Sequence, residues 1–513
     1  MNNVRMFLIL CAGMFVVFGS ASFSAAAEEA QIYIGWSCKD ITPDKPVSLY
    51  GQYYKRISQY VQSPLKVTAL ALETRAENGG KEQAVMVSCD VIDIHKEIQD
   101  MVREKVRSKI PDFDINKLFL NATHTHSAPP TVLNTDNDVE EGKGMTAAEF
   151  QVLFLERAAE AVIEAWNGRK QGGISWGLGQ AVVGHCRRVQ FSNGKTEMYG
   201  STAREDFIGL EGPSDSGVEM LFCWDMEKKL TGIVLNVSCP SQVTEAKYYV
   251  SSDYWSEVRK KLKEKYSGDL FVLTQCGYAG DQSPRDLVRN YRGEPNMWDV
   301  PGIVEIGNRI SHAVDTVYPS AKNTIKTKVA FGHTVKEIKL PTRRYSAEEY
   351  KKSLAVVEEI MSREPKDPNS PDTAWNRFLK IIKDNEVTQK FGPWYNKETD
   401  FGILKINQVL VEKYKIQDNN PYFSMELHVI RLGDVVFATS PFETYVDYGF
   451  RITGRSKAAQ TFLIQLCGDS EGYLPTARAI PGGGYSAMVS NVGPEGGQVM
   501  VEETIKAINA LWE

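Results

Sequence analysis

The sequence predicts an α/β protein built from layered, mixed β-sheets that are flanked by helices. Short apolar runs rich in Val and Ile alternate with longer segments of helical spacing, and this strand, helix, strand rhythm is typical of α/β layering. Polar and reactive residues directly follow several of the predicted strands. Clefts open where strands give way to loops, so the same pattern predicts a functional cleft at the strand ends.

The amino terminus has the layout of a secretory signal peptide. Arg5 precedes an apolar run over 6–18, and three alanines at 25–27 come before two glutamates. Leu10 precedes Cys11, where a lipoprotein signal would have a small residue. We therefore expect a signal peptide over 1–27, one domain over 28–513, and a free exported protein that is periplasmic or secreted.

The composition indicates which kinds of partner the protein can bind. The formal net charge is −6 and no Lys/Arg stripe stands out, which disfavours nucleic acid. Beyond the signal peptide no apolar run is long enough to cross a bilayer. The seven cysteines of that region are widely spaced and odd in number, so we expect no disulfide framework. The remaining partner is a substrate: a small molecule, a lipid or an oligosaccharide.

The elements follow from periodicity and turn chemistry. Thr146 and Glu149 make a capping box for a helix that stops at Gly168. The charged stretch 345–400 interrupts the pattern and predicts a helical insertion over the core. Strands are expected at 32–36, 65–72, 84–92, 118–120, 218–222, 232–237, 270–274, 427–431, 435–439 and 462–466. Helices are expected at 95–110, 146–166, 254–266, 347–359, from 443 onward, and at 494–511.

Two histidines follow one of these strands. Side chains alternate faces along a strand, so His124 and His126 are expected to point the same way, as half of a metal site would. Pro129 and Pro130 cannot continue a ladder and turn the chain into a loop. A hydrogen-bonded structural pair explains the same spacing equally well.

Three further residues that come after strands have two interpretations each. Ser283 lies in a Gly-rich turn that either presents its hydroxyl to a ligand or is a plain turn. Cys239 is either a thiolate ligand or a small buried residue. Glu443 either binds a metal or caps the following helix.

Two tyrosines and two arginines are the remaining candidate site residues. Tyr473 and Tyr485 lie in Gly/Pro loops, where a phenol either anchors packing or binds a metal or a developing oxyanion. The adjacent Arg187 and Arg188 either steady an anionic group or pair with surface acids.

Taken together and in this order, these segments resemble the neutral (alkaline, non-lysosomal) ceramidase family. Ile-Gly at 34–35 with Asp-Ile-Thr-Pro at 40–43 is similar to the start of the family's domain. Thr-His-Thr-His-Ser at 123–127 resembles a family signature, and Gly-Asp-Gln-Ser-Pro at 280–284 is similar to its Gly-Asp-x-Ser-Pro segment. The two tyrosines match a family pair in their separation. The resemblance runs from Gly35 to the carboxyl terminus and implies a ceramidase-like catalytic domain with a central metal cleft.

The resemblance also implies roles. His124, Glu443 and Tyr473 match zinc ligands, and Cys239 stands where the family has its second zinc-binding histidine. A thiolate can replace imidazole, although its charge makes the zinc a weaker Lewis acid. The implied cofactor is therefore one Zn²⁺. The remaining matches are Ser283 as the catalytic serine, Tyr485 as a second active-site tyrosine, Arg187 (or Arg188) as an active-site arginine, and His126 as a partner of the zinc ligand.

The implied function is that of an exported, zinc-dependent hydrolase of lipid metabolism, which cleaves the amide bond of an N-acyl, ceramide-like substrate. The sequence ends with the catalytic domain, so the family's C-terminal β-sandwich domain is expected to be absent. Two alternatives stay open. One is a polysaccharide lyase on the same scaffold, acting on a uronic-acid glycan by β-elimination. The other is a binding protein that has lost catalysis.

Overall fold

One large sheet organises the fold. The computed structural model describes residues 29–133, 137–290, 297–388 and 399–513, and across those ranges twelve strands join into one mixed sheet. The predicted signal peptide lies outside the described residues. The strands are β1 (Glu29–Asp40), β2 (Tyr60–Val61), β3 (Lys66–Arg75), β4 (Lys81–Cys89), β5 (Leu118–Ala122), β6 (Lys170–Gln180), β7 (His185–Cys186), β8 (Arg188–Phe191), β9 (Thr196–Met198), β10 (Phe207–Leu210), β11 (Gly217–Asp225), β12 (Leu230–Val237), β13 (Tyr249–Val250), β14 (Phe271–Cys276), β15 (Gln282–Ser283), β16 (Lys328–Pro341), β17 (Tyr422–Leu432), β18 (Val435–Thr439), β19 (Glu443–Thr444), β20 (Gln460–Ile464) and β21 (Tyr473–Leu474).

Helices cover the outside of this sheet. A long apolar core, drawn from β1, β3, β4, β11, β12 and β16 to β20, fills its inner side, and three further cores pack the helices onto its outer faces. The α/β class is therefore confirmed. The helices are α1 (Lys96–Arg107), α2 (Ala147–Asn167), α3 (Tyr254–Lys265), α4 (Leu287–Asn290), α5 (Asp299–Asn323), α6 (Ala347–Arg363), α7 (Ala374–Thr388), α8 (Asp400–Ile416), α9 (Val446–Thr453), α10 (Ala479–Gly482), α11 (Tyr485–Met488) and α12 (Pro494–Ala510).

Three parallel strand pairs position the strand ends. The sheet order is β14-β12-β11-β6-β1-β16-β17-β18-β20, with β3, β4 and β5 branching from β1. The pairs β4/β5, β12/β14 and β18/β20 are parallel, and each is bridged by a helix, α1, α3 and α9 respectively. Parallel neighbours need such a crossover, and both of their carboxyl ends lie at the same edge.

Backbone hydrogen bonds join these three sets of ends. Gly277 N donates to Val237 O at 2.8 Å, and Gln465 N donates to Cys276 O at 3.0 Å. Ala122 N donates to Leu466 O at 3.1 Å. The loops after β5, β12, β14, β18 and β20 therefore meet in one place, and the predicted residues His124, His126, Cys239, Ser283, Glu443 and Tyr473 lie on them.

Most predicted elements are confirmed, among them the capping box of Thr146 and Glu149. Two boundaries differ from the prediction. β5 ends at Ala122, before either histidine, and α9 begins at Val446, three residues after Glu443. All seven cysteines of the described part of the chain are free. Among the described residues, no helix has the length and apolarity that a membrane span needs.

The predicted insertion contains helices α6 and α7 and leads into α8; residues 389–398 lie outside the described part. These helices lie between β16 and β17, which pair along their whole length from Phe331–Leu432 to Pro341–Tyr422. Apolar side chains of α7 and α8 form a small separate core around Phe378 and Phe401, and Tyr54 joins it from a loop of the main body. α6 packs on α8 instead.

Candidate active site

The two histidines meet although neither is in a strand. His124 has a φ of 63°, a left-handed conformation that non-glycine residues rarely adopt and that is often found at functional sites. The rings are perpendicular, with centroids 4.8 Å apart, and their Nε2 atoms are 3.3 Å apart. His124 Nδ1 lies 2.7 Å from Ile92 O, which can only accept, so Nδ1 is protonated and Nε2 of the neutral ring carries a lone pair.

Gln242 fixes the state of the second ring. Arg187 has only donors, so the amide oxygen of Gln242, 3.4 Å from Arg187 Nη1, faces the guanidinium. The amide nitrogen of Gln242 then donates to His126 Nε2 at 2.8 Å. His126 Nε2 is thereby an acceptor. The one lone pair of His126 Nε2 is therefore shared with the Gln242 amide, while His124 Nε2, 3.3 Å away, faces both His126 and Glu443.

Glu443 adds a carboxylate to this spot. Its Oε2 lies 3.6 Å from His124 Nε2 and 3.5 Å from Arg187 Nη2, and its side chain is almost fully buried. Glu443 pairs with Tyr473 in the short bridge β19/β21, so the two site residues are held in register. The alternative role as a cap for α9 is not found, because α9 begins later and has no side-chain cap.

The two adjacent arginines have different partners in the structure. Arg187 is fully buried and donates to Tyr199 OH at 3.0 Å, to Gly280 O at 2.8 Å and to Tyr473 OH at 3.4 Å. Burial opposes its charge, but the surrounding phenols and Glu443 outweigh burial and raise the pKa of Arg187. Arg188 instead forms a buried ion pair with Glu211.

Tyr473 and Tyr485 stand beside this group. Their rings are 5.5 Å apart and nearly perpendicular. Burial raises the pKa of both phenols above the usual value of 10.0, so both hydroxyls keep their protons near neutral pH. A protonated phenol is a hydrogen-bond donor suited to an oxyanion.

Ser283 and Cys239 lie deeper in the protein than the residues described so far. Ser283 is buried in the bridge β15/β7, where Arg285 N donates to its Oγ at 3.2 Å and the Tyr199 phenol is a second partner. Cys239 is fully buried in an outer apolar core, with Sγ 3.5 Å from Pro240 O. Burial raises the pKa of its thiol well above the usual value.

Sequence reasoning missed the support behind the histidines. Gly51 has a φ of 98°, and a Cβ there would collide with the His126 ring and with Ile92. Arg56 is fully buried and donates to both His126 O and Tyr50 O at 2.7 Å. The available sequence signals were Arg56, which has no acidic residue beside it in the sequence, and Gly51, which lies among tyrosines. Both patterns are also common on protein surfaces.

These side chains lie beside a cleft of about 490 Å³, a size typical of small-molecule sites. Of the predicted residues, His126, Arg187, Tyr473 and Tyr485 line it. Ser283, Cys239, His124 and Glu443 do not reach its wall. The other lining residues are Tyr50, Gly51, Gln52, Tyr53, Asn137, Tyr199, Gln242, Glu245 and Val489.

Zinc prefers imidazole, carboxylate and oxygen donors in a tetrahedron at ~2.0–2.2 Å, so neighbouring donors are ~3.3 Å apart. The 3.3 Å between the two Nε2 atoms and the 3.6 Å from His124 Nε2 to Glu443 Oε2 are close to this spacing. In the described ranges no three His, Cys, Asp or Glu side chains converge on one point. His124 Nε2 and Glu443 Oε2 thus suit a zinc ion in kind and spacing, and a third donor would have to come from His126 or the Tyr473 phenol.

Comparison with known proteins places the fold. No protein-family model matches the sequence, and no curated protein matches it. A solved ceramidase complexed with C2 matches the structure with a TM-score of 0.65 at 16% identity, over 94% of this chain and 75% of that chain. The neutral ceramidase of Pseudomonas aeruginosa matches with a TM-score of 0.63 at 16% identity over the same shares. The fold is therefore ceramidase-like, and at this identity the likeness concerns the fold alone.

Proposed function

We propose that the protein is a zinc-dependent hydrolase that cleaves the amide bond of an N-acyl compound. The observation that carries the proposal is the contact of the His124 imidazole with the His126 ring and with the Glu443 carboxylate, in front of a buried guanidinium and beside a cleft. The ceramidase-like fold supports the same reaction class.

One Zn²⁺ would be held by His124, Glu443 and Tyr473, with Cys239 as the further donor that the sequence offers. When bound, it supplies Lewis acidity to the amide carbonyl. The buried, apolar surroundings of Cys239 and the raised pKa of its thiol disfavour a sulfur donor, and His126 Nε2 is kept for proton transfer.

The chain's own residues supply the rest of the chemistry. Arg187 and the Tyr485 phenol would donate to the oxyanion that forms when water attacks the amide carbon. His126 Nε2 would take the proton of the water and return it to the amine as the C–N bond breaks. Ser283 would act through the Tyr199 phenol, which contacts both Ser283 and Arg187.

The test combines metal analysis with one substitution. Purified protein is expected to contain near one equivalent of zinc, and Ser283→Ala is expected to abolish release of a free amine. Ser362→Ala, at an exposed position of α6, is the matched control and should keep full activity. Metal-free protein that still cleaves amides would refute the zinc mechanism.

Elimination is a second candidate, and the positive charge of Arg187 at the cleft wall favours it. A guanidinium there suits the carboxylate of a uronic acid. Elimination leaves an unsaturated, ultraviolet-absorbing sugar, whereas hydrolysis releases an amine, so one assay with both readouts separates the two reactions.

We also propose that the protein is exported. The apolar run and alanines at the amino terminus support this. Sequencing the amino terminus of protein recovered from the periplasm or medium should give a chain that starts at Glu28. A full-length chain retained in the cytoplasm would contradict export.

A further inference from the structure

The wall of the cleft is polar and aromatic. Among the described residues that line it, the aliphatic side chains are limited to Val489. The rest of the wall comprises tyrosines, amide side chains, Glu245, His126 and Arg187. Amides and carboxylates bind hydroxyl groups, and tyrosine rings pack against the C–H faces of sugars while their hydroxyls donate or accept.

A long acyl chain requires a different wall. Each methylene contributes ~0.8 kcal/mol only when it leaves water for apolar surroundings. The described lining has a single aliphatic side chain, so it offers no aliphatic groove for such a chain. A lipid tail would lie partly on tyrosine rings and partly against phenol hydroxyls and amides, and these polar groups would lose their water without gaining a hydrogen bond.

Tyr53 stands at the mouth of the cleft as a supported platform. It is 49% exposed, and its ring packs edge-on against Phe401 with centroids 6.0 Å apart. The next residue, Tyr54, packs against Phe378 at 6.3 Å. Both phenylalanines belong to the insertion helices α7 and α8, which therefore fix the position of an exposed aromatic ring beside the site.

We propose that the substrate is a polyhydroxylated N-acyl compound, an N-acetylated amino sugar within an oligosaccharide, and that Tyr53 is a platform for one of its rings. The inference rests on the proposed function for the bond that is cleaved. Gln52, Asn137 and Glu245 would bind sugar hydroxyls, while the N-acetyl group points to Arg187 and Tyr485.

The experiment uses the full chain and four probes. Tetra-N-acetylchitotetraose, a hyaluronan tetrasaccharide, C2-ceramide and C16-ceramide are each assayed for amine release, for ultraviolet absorbance of unsaturated products, and for binding by calorimetry. Tyr53→Ala is compared with the wild type. Tyr422→Ala is the matched control, because Tyr422 is also exposed and does not line the cleft.

We expect binding and amine release with a tetrasaccharide, and at least a 10-fold loss of saccharide affinity in Tyr53→Ala, with Tyr422→Ala unchanged. Saccharide binding without amine release, or with unsaturated product, would uphold the substrate class and reject amide hydrolysis. Amine release from C16-ceramide but not from saccharides would uphold hydrolysis and overturn the substrate class. No saccharide binding, or equal affinity in Tyr53→Ala, would also overturn it.

Discussion

Two pairs of touching histidines occur among the described residues, and they differ in what surrounds them. In the cleft, His124 and His126 face each other through Nε2 atoms that both carry lone pairs. Inside the sheet, His333 and His428 have ring centroids 5.2 Å apart, with His333 Nε2 at 3.0 Å from His428 Nδ1. The geometry of contact is similar, but the surroundings are not.

Both outer ring nitrogens of the interior pair have hydrogen-bond partners. His333 Nδ1 donates to Gln83 O at 2.9 Å, and His428 Nε2 lies 2.8 Å from Glu426, which Arg103 also holds. Burial lowers the pKa of both interior histidines, so these rings are neutral near pH 7 and are held by their outer partners, Gln83 O and Glu426. The cleft pair has the Glu443 carboxylate and an open cavity beside it instead, which leaves room for a cation. The comparison shows that partners, more than spacing, decide what a histidine pair does.

The largest expected effect comes from breaking the cleft pair. His124→Ala should lower kcat/KM at least about 1000-fold, because it removes a metal donor and the groups that depend on it. The melting temperature should fall only slightly, since the lost contacts are one hydrogen bond to Ile92 O and the packing on the His126 ring. His428→Ala should do the reverse, with a lower melting temperature and unchanged kcat per folded molecule. Equal loss of activity in both variants would contradict the comparison.

Gly51 tests whether the cleft pair needs its backbone support. Gly51→Ala places a methyl group against His126 and requires a left-handed alanine, so we expect about 1–2 kcal/mol of destabilisation. The displaced ring should also lower kcat by about 10- to 100-fold. Gly79→Ala is the control, because Gly79 has a similar φ of 85° but open space around it. If both variants lose the same activity, the ring contact is irrelevant.

Glu426 tests the interior pair through pH. Burial opposes its charge, but the bonds from His428 and Arg103 outweigh burial and hold the pKa of Glu426 far below its ordinary value of 4.5. A lowered carboxyl pKa stabilises the fold above pH 4.5, and this contribution is lost as the pH falls below it.

Glu426→Gln should therefore lower the free energy of unfolding by about 2 kcal/mol at pH 7, measured by urea denaturation. The difference from wild type should shrink below pH 4.5. Glu337→Gln, at an exposed position of the neighbouring strand, is the control. A difference that is constant with pH would show that the Glu426 charge has no part in the effect.

The smallest expected effect is at Cys239. We expect Cys239→Ser to keep its zinc, and X-ray absorption of the wild type to show only nitrogen and oxygen donors. A sulfur shell at ~2.3 Å that disappears in Cys239→Ser but persists in Cys276→Ser would make Cys239 the ligand instead.

The fold was largely predictable because strand and helix periods are local. The capping box at Thr146 and the apolar runs place the predicted elements within a few residues, but β6, α5 and β16 were not predicted. The site was predictable as a set of strand ends but not as a geometry. Whether His126 accepts or donates depends on Gln242, which is oriented by Arg187 from a distant segment. No local pattern encodes such a chain of contacts.

The arrangement of β16 and β17 has an evolutionary consequence. Because the two strands pair as far as Pro341 and Tyr422, the helical insertion between them begins and ends at neighbouring positions of the sheet. Such a segment can be lengthened, shortened or exchanged between related genes without shifting the register of any strand. Since it supports Tyr53 at the mouth of the cleft, each exchange would present the same reactive centre to a different molecule. The chemistry and the choice of substrate can thus diversify separately.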